Sequence, residues 1–385
     1  MAFQPCIALS AKTTQILPKL SSQVERWSGA EIPTLYYSKL GAFQQIEHEL
    51  PQLTVPYRPT PWLSNTHAHL LYFDMIRKNN VQLEYDQIEQ LTMQDGGVTA
   101  IAWYGKHLPA DTPTIVMMHT ITGSPDSMRE LVKDLHRYTG WRVALCVRRG
   151  HGNLPMPVGK FCLFGSPEDL REQIAHIQTS YPQSTLYGVG SSAGTSLLVR
   201  YLGEEGEQSP LRAAFALCPG YDLETGFDHL HRFYSRYMAK KVLKTFVHPH
   251  VSVWQSKAGF KQLIAQKELS QLHRSYFEFA GYTSYADYDQ AINPIHVFEQ
   301  IKVPLMILNA EDDPVCNIRN FDPYKDRVRE LDHVMVVTTK KGSHCGFYEG
   351  MRNPEAWSTK LMADFLKLQH ARILKEEKTS KVKAS

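Results

Sequence analysis

The chain has 385 residues, 43% of them hydrophobic and 21% charged, with a formal net charge of +3. This is the composition of a soluble globular protein with a sizeable core; it excludes disordered and fibrous classes, and so small a charge argues against a nucleic-acid partner while allowing mild attraction to anionic lipid. No window approaches 18 consecutive apolar residues, so a membrane-spanning helix is not expected.

The first 24 residues lack Asp, Glu and Arg and carry only Lys12 and Lys19 as cations. A transit peptide would be arginine-rich, so an untargeted terminus is the favoured reading and organelle targeting the second. Residues 1–80 read as an N-terminal extension packing on the core, with Pro51, Pro56, Pro59 and Pro61 marking irregular chain. Residues 82–93 and 98–104 flank Gln94-Asp95-Gly96-Gly97 and predict a β-hairpin. Apolar strands are expected at 114–119, 141–147, 184–190, 211–218, 303–309 and 333–339, alternating with helices at 125–138, 167–181, 195–202 and 354–373. Ser166-Pro167-Glu168-Asp169 reads as an N-cap, a proline at the first helical position and a capping box. Near-continuous apolar strands alternating with helices predict an α/β fold, a mostly parallel sheet with helices on both faces.

The stretch between Cys218 and Val303 is far longer than an ordinary connection and rich in aromatics, including Phe227, Phe246, Trp254, Tyr276 and Tyr288. It predicts a helical cap over the carboxyl ends of the strands, where open α/β sheets bind ligands. The expected organisation is a core of 81–220 and 301–373, a cap insertion of 221–300 and a disordered charged tail of 374–385. The cysteines, at 6, 146, 162, 218, 316 and 345, form no CxxC and follow no secretory signal, which favours free thiols in a reducing, cytoplasmic compartment.

Gly190-Ser191-Ser192-Ala193-Gly194 stands between an expected strand and an expected helix, the setting of a nucleophile elbow. A serine hydroxyl needs a base to take its proton and an acid to orient that base. On this fold the acid follows a later strand and the histidine follows the last. His344 lies in Gly342-Ser343-His344-Cys345-Gly346 after the 333–339 strand. Asp312-Asp313-Pro314 follows the 303–309 strand; Asp313 is favoured, with Asp312 and Asp222 as competing acids. The oxyanion donors are expected from the Ala193 N–H and the Ile121 N–H, the latter in the loop after the 114–119 strand. His119 is read as structural.

Further motifs accumulate around these. They are Trp62-Leu63-Ser64-Asn65-Thr66-His67, Asp95-Gly96-Gly97 with Trp103, Arg149-Gly150-His151-Gly152, Phe164-Gly165-Ser166-Pro167-Glu168-Asp169 and Tyr201-Leu202-Gly203-Glu204-Glu205-Gly206. Together with the 312–314 turn and the 342–347 loop, they resemble the acyl-ester hydrolase and acyltransferase family of α/β-hydrolases. That family includes yeast medium-chain ethyl-ester synthases, mammalian monoacylglycerol lipase and phospholipase members, and bacterial relatives. The resemblance runs from about residue 56 to 365. It implies the α/β-hydrolase fold, a Ser192–Asp313–His344 triad, and cleavage of lipid-like acyl esters such as monoacylglycerols or medium-chain esters, without a cofactor. Alcohol acyl transfer is the alternative, and a catalytically inactive binding protein a weaker one, since all three triad residues are kept. The chain departs from the family at Thr120 and Thr195, where glycines are usual.

Other signals are discounted. The pairs His67/His69, His229/His231 and His248/His250 lack completing ligands, so no metal is expected. Arg232, Arg236, Lys240, Lys241 and Lys244 among Phe233, Tyr237, Met238, Val242 and Leu243 form a basic amphipathic stretch. A packed cap helix with a solvated face is the first reading, and peripheral contact with a bilayer the second. The expected partner is a small acyl-ester or lipid substrate, and the expected state a monomer.

Overall fold

The computed structural model describes residues 29–77 and 80–384; the first 24 residues, with their targeting question, lie outside them. One sheet contains β1 (Thr34–Tyr37), β2 (Gln87–Thr92), β3 (Val98–Tyr104), β4 (Thr114–Met118), β5 (Arg142–Val147), β6 (Leu186–Ser191), β7 (Leu211–Leu217), β8 (Leu305–Ala310) and β9 (Val334–Thr339). Their spatial order is β1-β9-β8-β7-β6-β4-β5-β3-β2. The strands from β4 to β9 run parallel. The β2–β3 hairpin closes one edge antiparallel to β5, and β1 closes the other antiparallel to β9.

Helices α1 (Arg129–Thr139), α2 (Pro167–Ser180) and α3 (Ala193–Glu205) lie in the connections, followed by an insertion containing α4 (Arg232–Val242) and by the closing helix α5 (Trp357–Ala384). The period-two geometry of a strand sends neighbouring side chains to opposite faces, and both faces are apolar. Ile115, Met117, Val143 and Leu145 pack with Val132 and Leu135 of α1 and Leu361 and Phe365 of α5. Val116, Met118, Ala144 and Cys146 pack with Leu170 and Ile174 of α2 and Leu198 and Leu202 of α3. Truncating Leu198, which is fully buried, to alanine would cost about 2–5 kcal/mol.

Local chemistry sets the element ends. Gly96 sits at φ 81° in the hairpin turn, and the Asp95 carboxylate accepts the Gly97 N–H at 2.9 Å. Ser166 caps α2 by accepting the Asp169 N–H. The Asp169 side chain, read as the reciprocal half of a capping box, is instead gripped by Arg149, which also binds Asp95. That buried guanidinium ties the hairpin turn to the start of α2.

One element was not foreseen in the sequence, and one expectation is corrected. The N-terminal extension contributes β1, a half-buried edge strand with no clear alternation to announce it. The tail from 374, expected to be disordered, continues α5 through Ala384. Lys375-Glu376-Glu377-Lys378 are good helix formers, and no Gly or Pro interrupts the run, so a helix already nucleated on the core propagates through it.

The insertion folds into short helices around its own aromatic core. Phe246, Trp254, Tyr276, Phe279 and Tyr288 pack there with Phe161 and Phe164 from the loop after β5. The Trp254 indole donates to the Gly159 carbonyl at 2.9 Å, anchoring the insertion to that loop. Cys146, Cys162, Cys218, Cys316 and Cys345 are free thiols. Among the described residues, no helix is long and apolar enough to cross a membrane.

Candidate active site

Between β6 and α3 the chain turns at Ser192 with φ 51° and ψ −121°, a strained conformation for a non-glycine residue. Two glycines make room for the turn. A Cβ on Gly194 would lie 2.3 Å from the Met118 carbonyl oxygen, and one on Gly190 would lie 2.8 Å from the Thr195 Cα. Ser192 is held from both sides: its N–H donates to the Leu217 carbonyl, and its own carbonyl accepts the Thr195 N–H at 2.8 Å. The Thr195 hydroxyl donates to that same carbonyl, so a threonine at the usual glycine position reinforces the turn. Ala193 opens α3, and its N–H is one of the four that a helix start leaves without an internal acceptor.

The other two expected residues reach Ser192 from the ends of β8 and β9. His344 Nε2 lies 2.8 Å from the Ser192 Oγ, and His344 Nδ1 lies 2.8 Å from Asp313 Oδ2. The second Asp313 oxygen accepts the N–H groups of Val315 at 2.7 Å and Cys316 at 2.9 Å, which fixes the carboxylate plane. Burial disfavours a charged imidazole at 344, but the adjacent Asp313 carboxylate outweighs it and holds His344 well above its ordinary range. The loop that presents His344 is itself strained, with Ser343, Cys345 and Phe347 all at positive φ.

The competing acids are occupied elsewhere. Asp312 accepts the Ser343 N–H at 2.9 Å and lies 3.6 Å from the Lys341 ammonium, so it shapes the histidine loop. Asp222 accepts the Glu224 N–H and the Asn293 amide, capping a short helix at the base of the insertion.

The loop after β4 is braced by Arg148 and His151, to which the sequence reading gave no individual role, and by His119, which it read as structural. Arg148 donates to the His119 carbonyl at 2.8 Å and to the Thr120 carbonyl at 2.7 Å. His151 packs its ring against the same loop, with Nε2 3.0 Å from the Ile121 carbonyl oxygen and Nδ1 3.0 Å from the Arg149 carbonyl oxygen. His119 accepts the Arg148 backbone N–H through Nε2 and therefore carries its proton on Nδ1, which donates to the Thr120 carbonyl. A trans peptide directs its C=O and N–H oppositely, so pinning the Thr120 carbonyl sets the direction of the Ile121 N–H. Burial together with the Arg148 charge holds His151 down to about 3 and His119 well below its ordinary range, so both are neutral. Burial also pushes Arg148 down to about 9. One signal was available in the sequence: a cation, Arg148, directly after the apolar run 143–147 of β5.

Ser192, Ala193 and Ile121 share the wall of a cavity lined mainly by apolar groups such as Phe164, Phe227, Leu230 and Met238. Thr120 lines two other cavities and is absent from the wall of this one. The unusual β-branched residue therefore leaves this apolar cavity unobstructed.

Residues 113–351 match the family model described as alpha/beta hydrolase fold. The chain is 24% identical over 355 residues to the embryogenesis-associated protein EMB8 of Picea glauca, covering 86% of this chain and 76% of that one. It is 25% identical over 360 residues to the monoacylglycerol lipase ABHD2 of Mus musculus, covering 86% and 84%. It is 26% identical over 286 residues to the medium-chain fatty acid ethyl ester synthase/esterase 2 of Saccharomyces cerevisiae, covering 66% and 62%. A nine-stranded, mostly parallel sheet with helices on both faces, and a family match across most of the chain, lead to one assignment: the chain belongs to the α/β-hydrolase fold family.

Proposed function

We propose that the protein is a serine hydrolase of carboxylic esters bearing an acyl chain, and that Ser192, His344 and Asp313 are its catalytic residues. The observation that carries this reading is the continuous hydrogen-bonded chain from Asp313 through His344 to Ser192, opening on a mainly apolar cavity. His344 Nε2 takes the Ser192 proton as Oγ attacks the ester carbonyl. The developing oxyanion is received by the N–H groups of Ala193 and Ile121, each such donor being worth about 3–4 kcal/mol in the transition state. The tetrahedral intermediate collapses, His344 returns the proton to the leaving alkoxide, and an acyl-serine remains. Water, deprotonated by the same histidine, then releases the acid. Asp313 keeps the His344 proton on Nδ1 between steps and stabilises the imidazolium that forms.

The segment 221–300 acts in this reading as the cap that supplies the acyl pocket, and its apolar lining favours lipid-like esters over short polar ones. The named activity of the mouse relative, a monoacylglycerol lipase, points the same way. Transfer to an alcohol in place of water uses the same residues, and the yeast relative's name, synthase/esterase, motivates testing it. Free thiols, those of Cys146, Cys218 and Cys345 buried, support a reducing compartment, and a monomer suffices because every proposed catalytic group comes from one chain.

A fluorophosphonate probe should label the wild-type serine and fail on Ser192→Ala; equal labelling of both, or none of either, would overturn the reading. Product analysis with a long-chain p-nitrophenyl ester, with and without added ethanol, separates hydrolysis from transfer.

A further inference from the structure

Residues 229–267 contain no Asp or Glu, yet they hold eight cations: Arg232, Arg236, Lys240, Lys241, Lys244, Lys257, Lys261 and Lys267. In a chain of net charge +3 this is a strong segregation of charge. The structure arranges much of it along one helix. Arg232, Arg236, Lys240 and Lys244 recur every four residues and are all exposed, forming a straight stripe along α4 and the turn that continues it. Beside them runs a second stripe of Phe233, 65% exposed, and Tyr237, 50% exposed, followed by Lys241. The opposite side of α4 is already engaged: Ala239 and Val242 are buried, the Ser235 hydroxyl accepts the Leu269 N–H, and Met238 lines the apolar cavity beside Ser192. A helix whose only task was to roof that cavity would not need two large aromatic rings on its outer face.

A neighbouring helix adds an aliphatic group. His67 hydrogen-bonds the Tyr234 hydroxyl, and one turn further on, Leu71 is 55% exposed. Glu268 meets Arg232 at 3.2 Å and Arg236 at 3.4 Å at the first end of the stripe, and Asp74 and Asp126 share a cavity wall with Lys241 beside its other end.

We propose that this outer face of α4 docks on an anionic lipid bilayer. The cations would meet acidic headgroups, and Phe233, Tyr237 and Leu71 would enter the interface, as the apolar and aromatic groups of surface-lying helices do. A nucleic acid would satisfy the cations and could stack on the rings, but it gives no place to Leu71. Docking would lay the outer side of the cavity wall on the source of a lipid ester. The inference goes beyond the hydrolase reading and stands without it, because vesicle binding is measured with no substrate present.

The test is co-sedimentation of the full chain with vesicles of phosphatidylcholine alone or with about one-third phosphatidylserine, at low and high salt. Binding should be at least tenfold stronger on the anionic vesicles and should weaken with salt. Lys240→Glu/Lys244→Glu should lower the anionic partition at least tenfold, each charge near the surface being worth about fivefold. Phe233→Ser/Tyr237→Ser should lower it at both salt concentrations while leaving affinity for a duplex oligonucleotide unchanged. All four substitutions lie on the exposed face, so unchanged thermal melts and fluorophosphonate labelling report intact folding. Equal binding to both vesicle types, no binding, or indifference to either double variant overturns the proposal. So does wild-type affinity for the oligonucleotide that matches its affinity for anionic vesicles.

Discussion

Replacing Asp313 with asparagine tests the site most sharply, because the surrounding hydrogen bonds dictate how the new amide must sit. One Asp313 oxygen accepts two backbone N–H groups, from Val315 and Cys316. An asparagine keeps those bonds only by placing its carbonyl oxygen there, which turns its NH₂ toward His344 Nδ1, 2.8 Å away in the wild type. Two donors cannot face each other, so the imidazole must move its proton to Nε2. That nitrogen then presents N–H to the Ser192 Oγ and can no longer accept the serine proton. The expected loss in kcat is about 10⁴-fold, roughly 5.5 kcal/mol in the barrier. Asp312→Asn retains an oxygen for the Ser343 N–H and surrenders only the 3.6 Å approach to Lys341, a partly exposed pair worth about 1 kcal/mol or less. Its turnover should fall less than about fivefold by the same conversion. The assay is hydrolysis of a p-nitrophenyl acyl ester, with a thermal melt of each variant. A well-folded Asp313→Asn protein within tenfold of wild type, or an Asp312→Asn protein as impaired as its neighbour, would refute the assignment.

Three other predictions follow from the same geometry. His344 acts as a base only when neutral, and Asp313 raises it above its ordinary 6.5; kcat/KM should therefore climb with pH through an acid limb lying above that value, and a flat profile across neutral pH would contradict this. Arg148→Met removes the guanidinium donors to the His119 and Thr120 carbonyls, leaving the latter to His119 Nδ1 and the Gly123 N–H, so kcat should fall about 10–100-fold with KM nearly constant. Inhibition by a trifluoromethyl ketone should weaken in parallel, whereas a purely structural role would lower the melting temperature and leave that inhibitor's affinity unchanged. Gly194→Ala forces a Cβ to within 2.3 Å of the Met118 carbonyl oxygen, so it should cost about 1–3 kcal/mol of stability and abolish fluorophosphonate labelling; a wild-type melt with full labelling would refute the close-approach argument.

The parts of this protein that were legible in its residues are those decided by local chemistry. The strands from β4 to β9 are buried on both faces over most of their length and so read as near-continuous apolar runs, broken by Arg142 and Arg212 near two strand starts. The hairpin turn needs a left-handed residue at Gly96, and the elbow needs small residues at 190 and 194, so each leaves a mark within a few positions. Order along the chain then brought Ser192, an aspartate of the 312–313 pair and His344 into view.

What remained hidden depends on contacts between distant segments. The short edge strand β1 owes its conformation to pairing with β9, some 300 residues away. The tail is helical because α5 is nucleated by packing on the core, not by any apolar periodicity of its own. Asp313 was favoured over the adjacent, chemically similar Asp312 from the sequence, but what separates the two arises only where the β8 and β9 loops meet, turning one carboxylate to His344 and the other to the Ser343 amide. Arg148 showed in the sequence only as a cation at the end of β5 and gave no sign of its partners, which are backbone carbonyls on a loop 28 residues earlier. From residue types alone came the strands, the turn and the chemistry available to the site. Which groups face one another was decided in three dimensions, because a hydrogen bond's direction depends on segments that the sequence keeps far apart.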